Sequence, residues 1–174
     1  MIKKNVVLTG MPATGKSTVG VILAKRLGLA FTDSDVYIQT REGRRLSEII
    51  RDEGLETFKK IEEKHLCEME ARATVIATGG SVIYGRRAMD HLGKKGIIVY
   101  LNTPLSTLMA RLSDLEARGV VIQPGMSVES LYHERHPLYM ERAHIVIPTE
   151  GLSPSMVADA VHEALIKTLG ETWR

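Results

Sequence analysis

A single cysteine, Cys67, rules out any disulfide within the 174-residue chain. A lone thiol with no electropositive motif around it is expected to be a partly buried helix residue rather than a reactive one. Aromatic residues make up only 5% of the chain, and its lysines and arginines are scattered. The basic stripe with interleaved rings that marks a nucleic-acid binder is therefore missing. No apolar run approaches the ~20 residues that span a bilayer, and Met1–Lys4 is too short a lead-in for a secretion signal. The expectation is a cytoplasmic protein with no membrane or nucleic-acid partner. Six histidines, at 65, 91, 133, 136, 144 and 162, show no metal-ligand spacing. Repeats, low-complexity tracts and linkers are also lacking, which points to one domain spanning 1–174.

What is present is the material of an ordinary core: 44% hydrophobic residues against 25% charged, with a formal net charge of +2. That suffices without staples. Short apolar runs bounded by turn residues occur at Val6–Leu8, Ala30–Phe31, Thr74–Ala77, Ile97–Leu101 and Ile145–Ile147, as expected of strands buried on both faces. Helical patterns lie between them: Lys16–Leu27, stopped by Gly28; Leu46–Arg51, opened near Ser47; and Glu56–Arg72, with Phe58, Ile61 and Met69 inward. Others start at Pro104 and run over Ser127–Ala143 and Ser153–Leu169, the last with Ser153 as cap and Pro154 in the first turn. Strands alternating with helices predict an α/β fold, a three-layer α/β/α arrangement around a five-stranded parallel sheet. The least regular stretch, Ser113–Gly125, is expected to be a loop that moves.

The strongest signal is Gly10-Met11-Pro12-Ala13-Thr14-Gly15-Lys16-Ser17-Thr18, a G-x-x-x-x-G-K-[ST] phosphate loop that follows a strand and opens a helix. The glycines let backbone N–H groups curl toward phosphate oxygens, and the helix adds its positive N-terminal end. Lys16 is suited to the β- and γ-phosphates of ATP, and the Ser17 hydroxyl to magnesium. The alternative is a glycine turn with an incidental lysine.

Motor and transporter ATPases usually place a second acid at the end of another apolar strand, but here Val75–Ala77 runs into Thr78-Gly79-Gly80-Ser81 with no acid. No guanine-specific N-K-x-D motif occurs either. The acids are Asp33 and Asp35, just past the second strand. One could hold magnesium water and the other take a hydroxyl proton. The competing reading is helix capping by Asp33 or Ser34.

Together with Phe31–Asp35, Phe58–Glu62, Ala77–Gly80, Arg118 and Arg135–Tyr139, the phosphate loop makes an ordered series that resembles the shikimate kinase family almost end to end. The resemblance implies a P-loop kinase fold with a substrate lobe at about 34–60, a lid at about 113–125, and phosphorylation of the 3-hydroxyl of shikimate by MgATP. It implies that Asp33 organises magnesium, that Asp35 binds substrate hydroxyls and acts as base, and that Gly79 and Gly80 line the substrate floor. Arg135, with Lys59, would hold the substrate carboxylate, and Glu62 would orient Lys59. Arg118 would be the lid arginine at the transferring phosphoryl group, and Arg111 and Pro154 would sandwich the adenine. A monomer is expected. The plainer readings are a solvated helix charge for Arg135, a surface residue for Arg111 and a surface pair for Glu62 with Lys59.

Four positions depart from the family pattern. Lys59 stands for the usual arginine, a point charge in place of a planar fork, at an expected cost of about 1–3 kcal/mol in substrate binding. Ser81 stands for a third glycine, and Gly119 follows Arg118 where proline is usual. Ala13 replaces the middle glycine of the loop, a change that suits a negative φ. Because three of the four lie at the substrate or lid, a different carboxylated or polyhydroxylated acceptor stays open, as does a non-catalytic nucleotide-binding module.

Overall fold

The structure, a computed structural model, describes residues 4–116 and 127–170, and the side chains of 113–116 are not described. Five strands, β1 (Asn5–Thr9), β2 (Ala30–Asp33), β3 (Thr74–Ala77), β4 (Gly96–Asn102) and β5 (Ile145–Pro148), form one sheet in the order β2-β3-β1-β4-β5. All four pairings are parallel, with Val6 opposite Val75 on one side and Ile97 on the other. The helices are α1 (Lys16–Leu27), α2 (Ser34–Glu42), α3 (Leu46–Glu53), α4 (Leu55–Cys67), α5 (Arg86–Lys95), α6 (Leu105–Glu116), α7 (Val128–Arg142) and α8 (Pro154–Leu169), with a 3₁₀ turn at Val82–Tyr84.

Alternation along the strands divides the core into two layers, as a sheet covered on both faces requires. Val6, Leu8, Ile97, Val99 and Leu101 pack with Val19 and Leu23 of α1 and Val161 and Leu165 of α8. Val7, Ile98 and Tyr100 pack on the other face with Leu66, Met89, Leu108 and Tyr139 from α4, α5, α6 and α7. The expected three-layer fold is the observed one.

The helix boundaries differ in places. α4 ends at Cys67 rather than Arg72, because the chain must turn to enter β3. The Asn5 side chain fixes that turn, donating to Ala71 O (2.8 Å) and accepting from Thr74 N (3.1 Å). Met69 is still buried, but from beyond the helix. α3 begins at Leu46, where the Glu48 carboxylate accepts the Arg45 N–H at 2.9 Å. Of the expected Ser113–Gly125 loop, residues up to Glu116 are the end of α6, and the rest lies outside the described residues. Helices α2 and α5 had no counterpart among the expected elements.

Strand order places the site. From β1 the chain leaves by α1 for β2 at one edge of the sheet, whereas β3 connects across to β4 on the other side of β1. The crevice at such a switch point, at the carboxyl ends of the strands, is where open α/β sheets bind ligands.

Candidate active site

The phosphate loop leaves β1 through Gly10 and enters α1 at Lys16, with Gly15 left-handed (φ 92°) at the N-cap. Lys16 is buried, and its Nζ donates to Gly10 O and Met11 O, both at 2.8 Å. Burial pulls its pKa down to about 8, while Asp35 acts in the opposite direction. Thr14 is buried in the loop, whereas Ser17 and Thr18 are exposed on the first turn of α1. Ala13 has φ 63°, so the negative φ suited to a methyl is not what the loop adopts. The loop needs a left-handed residue here, which explains why glycine is usual and leaves Ala13 strained.

β2 delivers the acids. Asp33 is the N-cap of α2, its Oδ1 accepting from Asp35 N (3.0 Å) and Val36 N (3.4 Å). Its Oδ2 accepts from Ser17 Oγ at 2.6 Å. The capping and the functional readings of Asp33 are thus compatible, since one carboxylate oxygen serves each. A hydroxyl and a carboxylate side by side are hard oxygen donors, a set that suits magnesium carrying phosphate and water as its other ligands. Among the described residues no group of three or more histidines, cysteines or acids gathers as a metal cage.

Asp35 lies two residues further on, in the first turn of α2. Its Oδ1 is buried without a hydrogen-bond partner. Burial raises its pKa first, and Asp33 adds to this, against Lys16. Gly79 explains the crowding: a Cβ on it would stand 2.7 Å from Asp35 Oδ1 and 2.8 Å from Glu62 Oε1. A Cβ on Gly80 would stand 2.8 Å from Arg135 Nη1. Both glycines therefore form a floor on which carboxylates and a guanidinium converge. Ser34 Oγ accepts from Gly79 N (2.9 Å) and Tyr139 OH donates to Gly80 O (2.6 Å), so α2 and α7 fix the floor from both sides.

Arg135 is buried, not a solvated helix charge. Its Nε donates to Tyr84 OH at 3.1 Å. Glu62 is also buried, but it does not orient Lys59. Its Oε2 accepts from Ser81 Oγ at 2.6 Å, while Lys59 Nζ pairs with Glu56 Oε1 at 2.7 Å. Burial raises the Glu62 pKa to about 7, against the Ser81 hydrogen bond, which favours the charged form. Arg111 Nη1 donates to Ala13 O (3.0 Å) and Thr14 O (3.3 Å), which ties α6 to the phosphate loop. Pro154 is exposed in the first turn of α8, beyond the Ser153 cap. Arg118 lies outside the described residues.

Of the residues singled out in the sequence, the structure brings together the loop, the acids, Gly79, Gly80 and Arg135. Not foreseen were Tyr84 and the contacts of Tyr139 and Ser34 with the glycine segment; the three contacts span 51, 59 and 45 residues. No local spacing signals such pairs.

Comparison with known proteins matches this geometry. The family model described as shikimate kinase matches residues 12–166. The chain is 36% identical over 166 residues to the shikimate kinase of Shewanella oneidensis, covering 94% of this chain and 97% of that one. It is 34% identical over 164 residues to the shikimate kinase of Psychrobacter cryohalolentis, covering 92% and 88%. Among solved structures, shikimate kinase from Acinetobacter baumannii in complex with shikimate matches with a TM-score of 0.86 at 32% identity, over 95% of this chain and 94% of that one. The Aquifex aeolicus shikimate kinase matches at 0.78 and 28% identity, over 94% and 97%. Sequence and fold agree along nearly the whole chain, and it belongs to the shikimate kinase family.

Proposed function

We propose that this protein transfers the γ-phosphate of ATP to the 3-hydroxyl of shikimate, giving shikimate 3-phosphate on the route to chorismate and the aromatic amino acids. The observation that carries the reading is the unpartnered, buried Asp35 Oδ1 over the Gly79–Gly80 floor, with Lys16 and Arg135 close enough to act on the same charges. An anionic, hydroxylated ring suits that arrangement: hydroxyl toward Asp35, carboxylate toward Arg135 and Lys59. Asp35, made more basic by its surroundings, accepts the proton of the attacking hydroxyl. Lys16 follows the β- and γ-phosphates, and the backbone of Gly10 and of Ala13 to Thr18 holds them. Arg111 and Pro154 flank the adenine, and Arg118 stabilises the charge on the phosphoryl group in flight. Magnesium, with Ser17 and Asp33 as its protein oxygens, supplies neutralisation of the phosphates when bound.

The substrate lobe comprises about 34–60 and the lid the segment around 113–125, within a single domain. The same reading makes the protein a cytoplasmic monomer. Lys59 and Ser81 are accommodated changes under this account, and the shared name of the curated relatives favours shikimate over another acceptor. Phosphorus NMR of a mixture of enzyme, MgATP and shikimate is expected to show a new phosphomonoester coupled to the proton on carbon 3. ATP consumed with no such product would overturn the proposal.

A further inference from the structure

Two cations that the shikimate reading assigns to the substrate carboxylate sit against one aromatic ring. Lys59 Nζ of α4 lies 4.6 Å from the centroid of Tyr84, and Arg135 Cζ of α7 lies 5.1 Å from the same centroid. Tyr84 itself closes the 3₁₀ turn that follows the glycine floor. Its hydroxyl accepts from Arg135 Nε at 3.1 Å and donates to the Glu134 carboxylate. We infer that Tyr84 is a positioning residue for substrate binding, a platform that holds Lys59 and Arg135 together as one carboxylate clamp.

The physical need for such a platform is specific to this chain. Two like charges brought to one anion repel each other until the anion arrives, and the negative face of an aromatic ring offsets part of that repulsion. A lysine also lacks the rigid fork of arginine, so its ammonium must be aimed by its neighbours. Here its neighbours are the ring, at 4.6 Å, and the Glu56 carboxylate, at 2.7 Å. For Arg135, the phenol engages Nε. That leaves the terminal amino groups to face the floor, where Nη1 stands 2.8 Å from the position a Gly80 Cβ would take. Tyr84 thus turns the guanidinium edge toward the site and keeps the ammonium beside it. Burial and the Glu134 acceptor both raise the phenol pKa, so it stays protonated and donating.

The inference rests on the shikimate reading, and steady-state kinetics separates the two. The experiment determines kcat and KM for shikimate and for ATP in the wild type, Tyr84→Phe, Tyr84→Leu, Lys59→Met and the Tyr84→Leu/Lys59→Met double variant. Expected is a rise of about tenfold in the shikimate KM for Tyr84→Leu, and a smaller rise of about threefold for Tyr84→Phe, which keeps the ring but loses the hydroxyl. The ATP KM should stay within about twofold in both. Lys59→Met should cost less in the Tyr84→Leu background than in the wild type, because part of what it removes is already gone. An unmoved shikimate KM in Tyr84→Leu, an equal rise in both KM values, or full additivity of the double variant overturns the platform alone. A wild type with no saturable shikimate turnover overturns the substrate reading and the platform with it.

Discussion

The proposed function makes Lys16 a phosphate ligand, and its burial then has a measurable consequence. In the free protein its pKa is drawn down to about 8, whereas bound phosphates keep the ammonium charged. Above that value, binding ATP must take up a proton, so affinity falls with rising pH. Titration calorimetry is expected to show ATP binding about tenfold weaker at pH 9 than at pH 7, with proton uptake at the higher pH. Equal affinity at both would mean that Lys16 is not the group titrating. For Asp35, the Asn variant should still bind ATP while losing turnover by roughly 10²–10⁴-fold, the usual worth of a general base. Loss of ATP binding in that variant would remove Asp35 from the acceptor side. Glu62 gives a stability signal. Its folded pKa of about 7 lies above the ordinary 4.5, so the folded state holds the extra proton between those values. Its contribution is fully present below about pH 4.5 and is lost as pH rises through 7. Glu62→Gln should flatten that decline in urea unfolding at pH 5 and pH 8. An unchanged slope would show that the buried carboxyl is not its source.

At the scale of elements, the structure depends on ties the sequence does not advertise. Asn5, 3% exposed at the start of β1, closes the turn into β3 through two hydrogen bonds made 66 and 69 residues away. Asn5→Ala leaves Ala71 O and Thr74 N unpaired and is expected to lower stability by about 2 kcal/mol while leaving both KM values unchanged, as read by urea unfolding and kinetics. A stability change within a few tenths of a kcal/mol would show that water replaces the side chain. The same contrast explains which elements were legible. Strands β1, β3 and β4 hold continuous apolar runs, β5 alternates buried with exposed residues, β2 offers only Ala30 and Phe31, and α1 carries Val19 and Leu23 on a face closed by Gly28. By contrast α2 buries only Ser34 and Ile38 out of nine residues, so no helical period reaches the sequence. In α5 the buried set is Ala88, Met89 and Leu92 between basic residues, three positions in a short segment. α4 was over-extended because Met69 continues its apolar spacing after the backbone has turned away. Site residues followed the same rule. Lys16, Ser17, Asp33 and Asp35 stand in short motifs, whereas the Ser81–Glu62 pair and the Tyr84 contacts are made only by folding.

For the whole molecule, the parallel sheet with β1 at its centre gathers the phosphate loop, the β2 acids and the β3 glycine floor at the carboxyl ends of its strands. At the two positions that depart from the family pattern beside the proposed substrate site, the structure shows local contacts. Ser81 takes up Glu62, and Lys59 rests between Glu56 and Tyr84. With Lys59 and Ser81 in place, this protein is still expected to phosphorylate shikimate. The most direct test is ADP release by the wild-type enzyme with MgATP, over shikimate from micromolar to tens of millimolar. Saturable turnover is expected, with a KM within the ordinary enzyme range of about 1 µM to 1 mM. Turnover absent, or rising linearly to the highest concentration while ATP still binds, would contradict it.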